Sequence, residues 1–243
     1  MTGELGEWKA KRYLDFHDTM VDTSSPFPCY FAVDAHRNGR LRYLFAPSPP
    51  TAEGGETLAE GLREYLAQAD SIGDITSLVA FFEPPSRERS ADWYESAFWD
   101  LLASLREADT EPWPSSIPKD PTDPQWTFCY DGTPLFMVAR APFYDERKSR
   151  YTPHGLEITI QPRSVFEGLG AETVEGQRAR RAIRARLRAY DDVEPHPDIG
   201  DYTDPTSYEW KQYFLPESNE ETTERFPLSD VFTRQLRERI GGD

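Results

Sequence analysis

Lysine is scarce in this chain. Of its 27 cationic side chains only Lys9, Lys11, Lys119, Lys148 and Lys211 are lysines, and the rest are arginine. Cysteine is scarcer still, with Cys29 and Cys129 alone. Two cysteines can form one disulfide, but nothing else has the pattern of a disulfide-framed secreted domain, so free thiols are expected. No apolar run approaches about 18 residues, which excludes a membrane-spanning helix. The opening MTGELGEWKAKRYLDF has no apolar segment of the signal-peptide kind. These absences make the cytoplasm the expected location. Positive charge is short as well. The net charge of −16 argues against general nucleic-acid binding, which needs a basic surface. There is no glycine-rich phosphate loop, GxGxxG, HExxH, CxxC or GxSxG. His17, His36, His154 and His196 are scattered without local metal-ligand spacing. The motifs of the common enzyme classes therefore assign no activity.

What is present is aromatic and acidic. Only 37% of the chain is hydrophobic, but 13% is aromatic, and large rings bury enough area to predict a folded chain. Acid excess with little lysine is the composition of a halophilic cytoplasmic protein. A charge of −16 self-repels in dilute buffer and is screened at molar salt, where the Debye length is about 3 Å.

Periodicity orders the elements. Gly3–Met20 has helical spacing, with Leu5, Trp8, Tyr13, Phe16 and Met20 recurring. Cys29–Val33 and Leu41–Phe45 are expected as strands of a first hairpin, turned by Asn38-Gly39. Pro47–Gly55 is expected as a loop before a helix from Glu56 to Ala69, and Thr76–Phe82 as a strand buried on both faces. Ser90 is placed to cap a helix over Ala91–Glu107. The five prolines of Asp109–Pro124 exclude regular structure, and Trp113 and Ile117 suit an ordered strap rather than a linker. Trp126–Tyr130 and Leu135–Ala139 flank Asp131-Gly132, a strong hairpin signal. Leu156–Ile160 alternates as a strand with one buried face. Glu172–Tyr190 is a helix with Val174, Ile183, Leu187 and Tyr190 inward and six arginines. Its arginines suit salt bridges to an acidic surface or an anion site. An acidic mobile loop near 216–226 precedes a last helix over Pro227–Ile240. The sum is an α+β fold: one domain over 1–243, with a mainly antiparallel or mixed sheet of about six strands and helices packed on it.

The connection from Arg140 to Gly155 draws most interest. It holds Tyr144, Arg147, Lys148, Arg150, Tyr151 and His154 between strands of a very acidic chain. A haem needs one axial Cys, His or Tyr, cations for its propionates and an apolar slot. Cys29, at the head of an apolar stretch, and Tyr144, near a charge that would lower its pKa, are the candidates. Each also has an ordinary reading, as a small buried hydrophobe and a loop tyrosine.

The chain resembles the YqcI/YcgG family over nearly its whole length. The motifs, in order, are PFPC at Pro26–Cys29, LRYLF at Leu41–Phe45, TSLVAFFEP at Thr76–Pro84 and FW at Phe98-Trp99. They continue with PWPSSIPKDPTDPQWTFCYDG at Pro112–Gly132, RKSR at Arg147–Arg150, QPRSVF at Gln161–Phe166 and IRARLRAYD at Ile183–Asp191. PHPDIG at Pro195–Gly200 and EWKQYF at Glu209–Phe214 complete them. The resemblance implies a haem b-dependent monooxygenase that N-hydroxylates a small amine or guanidine such as arginine, with an external reductant if dioxygen is the oxidant. It implies Cys29 as thiolate ligand to the iron, and Arg147, Arg150 and Arg163 as partners of propionates or a substrate carboxylate. Tyr144 stands where the family pattern often has histidine. The iron ligand is then either Cys29 or a Tyr144 tyrosinate, or the activity is lost. The alternative is a non-catalytic protein that binds a small anion and has no cofactor.

Overall fold

A computed structural model describes residues 6–170, 172–200 and 206–229. Most of the last helix expected from the sequence, Pro227–Ile240, lies outside them. A five-stranded sheet organises the described residues, in the order β1 (Leu41–Ala46), β2 (Ser77–Phe82), β5 (Glu157–Pro162), β4 (Thr133–Arg140), β3 (Phe128–Tyr130). β1 and β2 are parallel, and every other pairing is antiparallel. The fold is α+β with a mixed sheet of five strands.

The missing sixth strand is informative. Residues expected as strand Cys29–Val33 instead begin helix α2 (Tyr30–Arg37), with Cys29 as its N-cap residue. Asn38-Gly39 ends this helix rather than turning a hairpin. Gly39 takes φ +68°, its N–H donates to His36 O at 3.2 Å, and Arg40 N–H donates to Ala35 O at 2.8 Å. That pair of bonds is a Schellman cap, which uses the same positive-φ residues as a tight hairpin. β1, freed from a hairpin, pairs in parallel with β2, and the crossover runs through α3 (Ala52–Leu66) and the short α4 (Ala69–Ile72).

α3 starts four residues before the expected Glu56, inside the stretch expected as a loop. Thr51 caps it by accepting from Gly54 N–H at 3.0 Å. Gly55 sits where α5 (Ala91–Ala108) packs close, since a Cβ on it would lie 3.1 Å from Ser104 Cβ, and Gly54 sits against the preceding loop, where a Cβ would lie 3.2 Å from Pro47 O. Tertiary contact here overrides the low helix propensity of glycine, which costs about 1 kcal/mol per residue.

Other expectations hold. Ser90 caps α5 by accepting from Trp93 N–H. Asp131 and Gly132 both take positive φ, in a two-residue turn that pairs Phe128 with Leu135. The proline strap is anchored: Trp113 is buried, donates Nε1–H to Ile117 O at 3.0 Å and stacks on Trp126.

Both faces of the sheet are covered. One face packs Leu78, Ala80, Met137, Ala139, Ile158 and Ile160 against α3, α5 and the aromatic segment around Trp210–Phe214. On the other face, α1 (Glu7–Val21) and α2 press Phe16, Met20 and Ala35 onto Val79 and Phe81 of β2. This corrects the one-faced reading of the strand at Leu156–Ile160. Glu157, expected to point outward, is 1% exposed and faces Phe81 and Arg140 across the sheet. Helix α6 (Val174–Tyr190) stands over the same face. Its Val174, expected inward, is exposed.

Candidate functional site

Between this second face of the sheet and helices α1, α2 and α6 lies a cavity of about 290 Å³. That is the small end of the range for ligand pockets, about 300–1,000 Å³. Its floor follows from strand alternation. Ser77 and Val79 of β2, Thr159 and Gln161 of β5, and Phe136 and Val138 of β4 point the same way because their registers align. Ser77 donates its hydroxyl to Gln161 Oε1 at 2.9 Å. The walls are apolar: Met20 from α1, Phe27 and Phe31 around the start of α2, Leu169, and Ile183 and Leu187 from α6.

Cys29 lines this cavity. Its place at the N-terminus of α2 follows from the PFPC sequence, whose prolines hold the chain extended up to the cap. Desolvation pushes the thiol above its usual pKa. The N–H groups of Ala32 and Phe31 and the charge of Arg186 pull the other way. A helix N-terminus with a nearby guanidinium is the setting in which a thiolate is stabilised once a cation binds it. Cys129, by contrast, is buried among core side chains, and its pKa is raised to about 12 by desolvation.

The arginines of the long connection are buried rather than surface charges. Arg147, 1% exposed, donates Nε–H to Pro216 O at 3.0 Å, and Nη2–H to Glu217 O and Asn219 Oδ1. Glu217 Oε1 in return accepts the backbone N–H groups of Asp145 and Glu146, so the acidic stretch near 216–226 is tied to this loop. Arg147 Nη1 is buried without a hydrogen-bond partner. Arg150 gives its guanidinium to the carbonyls of Gln212, Ala139 and Tyr213, and burial lowers its pKa to about 10. Both arginines line the cavity. Arg163 does not. It donates to Gln125 O and approaches Glu209 at 3.5 Å, and Glu209 lines the cavity in its place.

Tyr144 is not among the residues lining this cavity. It is 2% exposed and donates its hydroxyl to Leu215 O at 2.5 Å. Burial drives its pKa up, and the charges of Arg150 and Arg147 offset this only in part. The expectation that Arg147 would acidify this phenol is therefore overturned: desolvation of the phenolate outweighs the nearby charge.

Sequence reasoning missed Arg140 and Glu157. Arg140 Nη1 meets Glu157 Oε1 at 2.8 Å, Arg12 Nη2 lies 3.7 Å from Glu157 Oε2, and the ring of Phe27 covers Arg140. Both Arg140 and Glu157 line the cavity. A strict period-two reading of the strand offered no signal that Glu157 faces a second buried layer. Two arginines share Glu157. Asp191, near Arg147 and Arg150, spends its oxygens on Ser149 N–H and Oγ–H. The wall is thus buried and positive, suited to an anion or to a cofactor with carboxylate arms. Among the described residues no group of three His, Cys, Asp or Glu side chains is arranged to hold a metal ion, and no helix is long and apolar enough to cross a membrane.

No solved structure matches the chain. "Uncharacterized protein YcgG" of Bacillus subtilis (strain 168) is 37% identical over 93% of this chain and 90% of its own length. "Uncharacterized protein YqcI" of the same organism is 34% identical over 90% of this chain and 87% of its own. A Streptomyces lavendulae protein named "Putative N(omega)-hydroxy-L-arginine synthase DcsA" is 28% identical over 93% of this chain and 86% of its own. Residues 16–229 match the YqcI/YcgG family along their whole span, and the chain belongs to that family.

Proposed function

We propose that this protein is a haem-dependent oxygenase that N-hydroxylates a small guanidine or amine, with L-arginine as the leading candidate substrate. The observation that carries the reading is one cavity lined by the Cys29 thiol, by apolar rings and by the buried Arg140, Arg147 and Arg150. The name of the Streptomyces lavendulae relative supports the reaction class.

The donor set fits a haem. Cys29 would ligate iron through sulfur, with the Ala32 and Phe31 N–H groups sharing the thiolate charge. Arg147 Nη1, a buried donor without a partner, is suited to a propionate or a substrate carboxylate. Haem would supply oxygen activation, which no side chain here provides. The chain's own part is to bind and orient the substrate against the Ser77–Thr159–Gln161 floor. Phe27, Phe31, Ile183 and Leu187 exclude water.

The small cavity volume favours a second reading, a cofactor-free protein that binds a small anion. One experiment separates the two. Recombinant protein is titrated with haem b in molar salt and its absorbance recorded. The oxygenase reading expects a Soret band at near-stoichiometric load, altered by Cys29→Ala and unchanged by Tyr144→Phe. A protein that stays colourless with excess haem overturns it and leaves the anion-binding reading.

A further inference from the structure

The six arginines of α6 suited salt bridges with an acidic surface, and among the described residues Arg178, Arg181, Arg184 and Arg186 make none. Arg188 pairs with Glu194 at 2.8 Å. Arg184 and Arg180 donate to the backbone carbonyls of Ile199 and Leu169. Arg186 lies over the Tyr30 ring, 5.3 Å from its centre. Arg178 and Arg181 are exposed and make no ion pair among the described residues. They lie at i and i+3, with Arg188 two turns further on, and so form one outward row. Glu175 is the only acidic residue of the helix. In a chain of net charge −16 this row is a local reversal of sign.

The position of the row matters more than its size. The inward residues of the same helix, Ala179, Ile183 and Leu187, wall the cavity. The outward arginines therefore stand about one helix diameter, ~10 Å, from that cavity. Arg186 reaches over Tyr30 at the start of α2 and bears electrostatically on the neighbouring Cys29. The row thus lies across one helix from the wall of the candidate cavity.

We infer that the outward face of α6, with Arg178, Arg181 and Arg188 at its centre, docks an acidic electron-carrier protein of the iron–sulfur ferredoxin class. The inference rests on the oxygenase reading. Hydroxylating an N–H bond with dioxygen puts one oxygen atom into N–OH and releases the other as water, consuming two electrons and two protons. A one-electron carrier supplies the electrons in two encounters, and protons come from solvent. A net charge of −16 disfavours the approach of an acidic carrier overall, and a local basic row favours it, so charge biases where the carrier lands. Guanidinium groups suit the role because they pair with carboxylates bidentately and remain charged.

The test is calorimetric titration of a plant-type [2Fe–2S] ferredoxin into the full chain at several potassium chloride concentrations. The expected result is one-to-one binding that weakens as salt rises and that Arg178→Glu/Arg181→Glu weakens by about tenfold or more. A control pair at exposed positions beside the opposite face of the sheet, Arg87→Glu/Lys119→Glu, leaves binding unchanged. Melting curves of both variants show whether they fold. Equal binding by wild type and the α6 variant, or equal loss in the control, overturns the inference. So does finding that the row instead mediates self-association, seen by light scattering, or binds duplex DNA in competition with ferredoxin. The haem titration on the same samples is read separately. No Soret band with intact ferredoxin binding sinks the oxygenase reading alone, while a Soret band without ferredoxin binding sinks the docking surface alone.

Discussion

Arg140 and Glu157 stand directly opposite each other on β4 and β5, and their side chains meet at 2.8 Å on the face of the sheet that lines the cavity. Arg12 reaches the same carboxylate from α1 and also donates to Thr152 Oγ1 at 2.6 Å. One buried carboxylate thus ties two strands, a helix and the long connection together.

Glu157→Gln would leave two buried guanidiniums without their counter-charge. Removing one partner of a buried pair costs about 3–5 kcal/mol. The expected result is a large fall in the urea midpoint with an unchanged slope. A loss below about 1 kcal/mol would show that water or another group compensates the charge.

Tyr144→Phe separates structure from chemistry. The hydroxyl donates to Leu215 O in a buried site, so its removal should cost about 1–3 kcal/mol through the orphaned carbonyl. Haem titration should be unaffected. A changed Soret position in this variant would instead make Tyr144 a ligand.

Arg147→Met should abolish stabilisation by carboxylate ligands while Arg147→Lys retains part of it. A charge-assisted hydrogen bond is worth about 1.5–3 kcal/mol, so affinity should fall roughly ten- to hundredfold. Melting temperature against L-arginine concentration reads this directly, with agmatine, which lacks the carboxylate, as comparison. Equal response to both compounds, or no change on Arg147→Met, counts against a carboxylate site at Nη1.

Acid should destabilise the fold through its histidines. His36, His154 and His196 all have pKa values lowered first by desolvation. His36 also faces His17, at 2.9 Å, Tyr43 and the charge of Arg37. A lowered folded pKa means that the unfolded chain takes up protons first. Stability is therefore held above the ordinary histidine pKa of about 6.5 and lost as pH falls below it. Asp191 and Glu209, whose pKa values burial raises, act in the opposite sense as pH climbs above the carboxylate range. Melting temperature should drop between about pH 7 and pH 5.5, less steeply in His36→Gln. A melting temperature that is flat or rising on acidification would refute the histidine contribution.

The local signals in this chain were legible where one residue's backbone or one periodic stripe decides the outcome. Asp131-Gly132 turns its hairpin because both residues adopt positive φ, and Ser90 starts α5 because its hydroxyl accepts a backbone N–H. The unbroken apolar run of β2 is buried on both faces as its composition demands. Cys29, Arg147 and Arg150 were recognisable as candidates from residue type and motif, and the fold brings them to one cavity.

Tertiary structure decided the rest. Asn38-Gly39 satisfies a helix cap and a hairpin equally well, and only packing of Ala35 under α1 selects the helix. Gly55 looks like a loop residue until α5 demands close approach. Glu157 looks like an outward strand residue until α1 brings Arg12 over it. By itself the sequence determined five of its six expected strands, the longer helices and the set of candidate side chains, since these depend on short-range periodicity and backbone preference. Which of them share a cavity, which arginines are buried and which face outward from α6 depended on long-range packing, which a linear pattern does not encode.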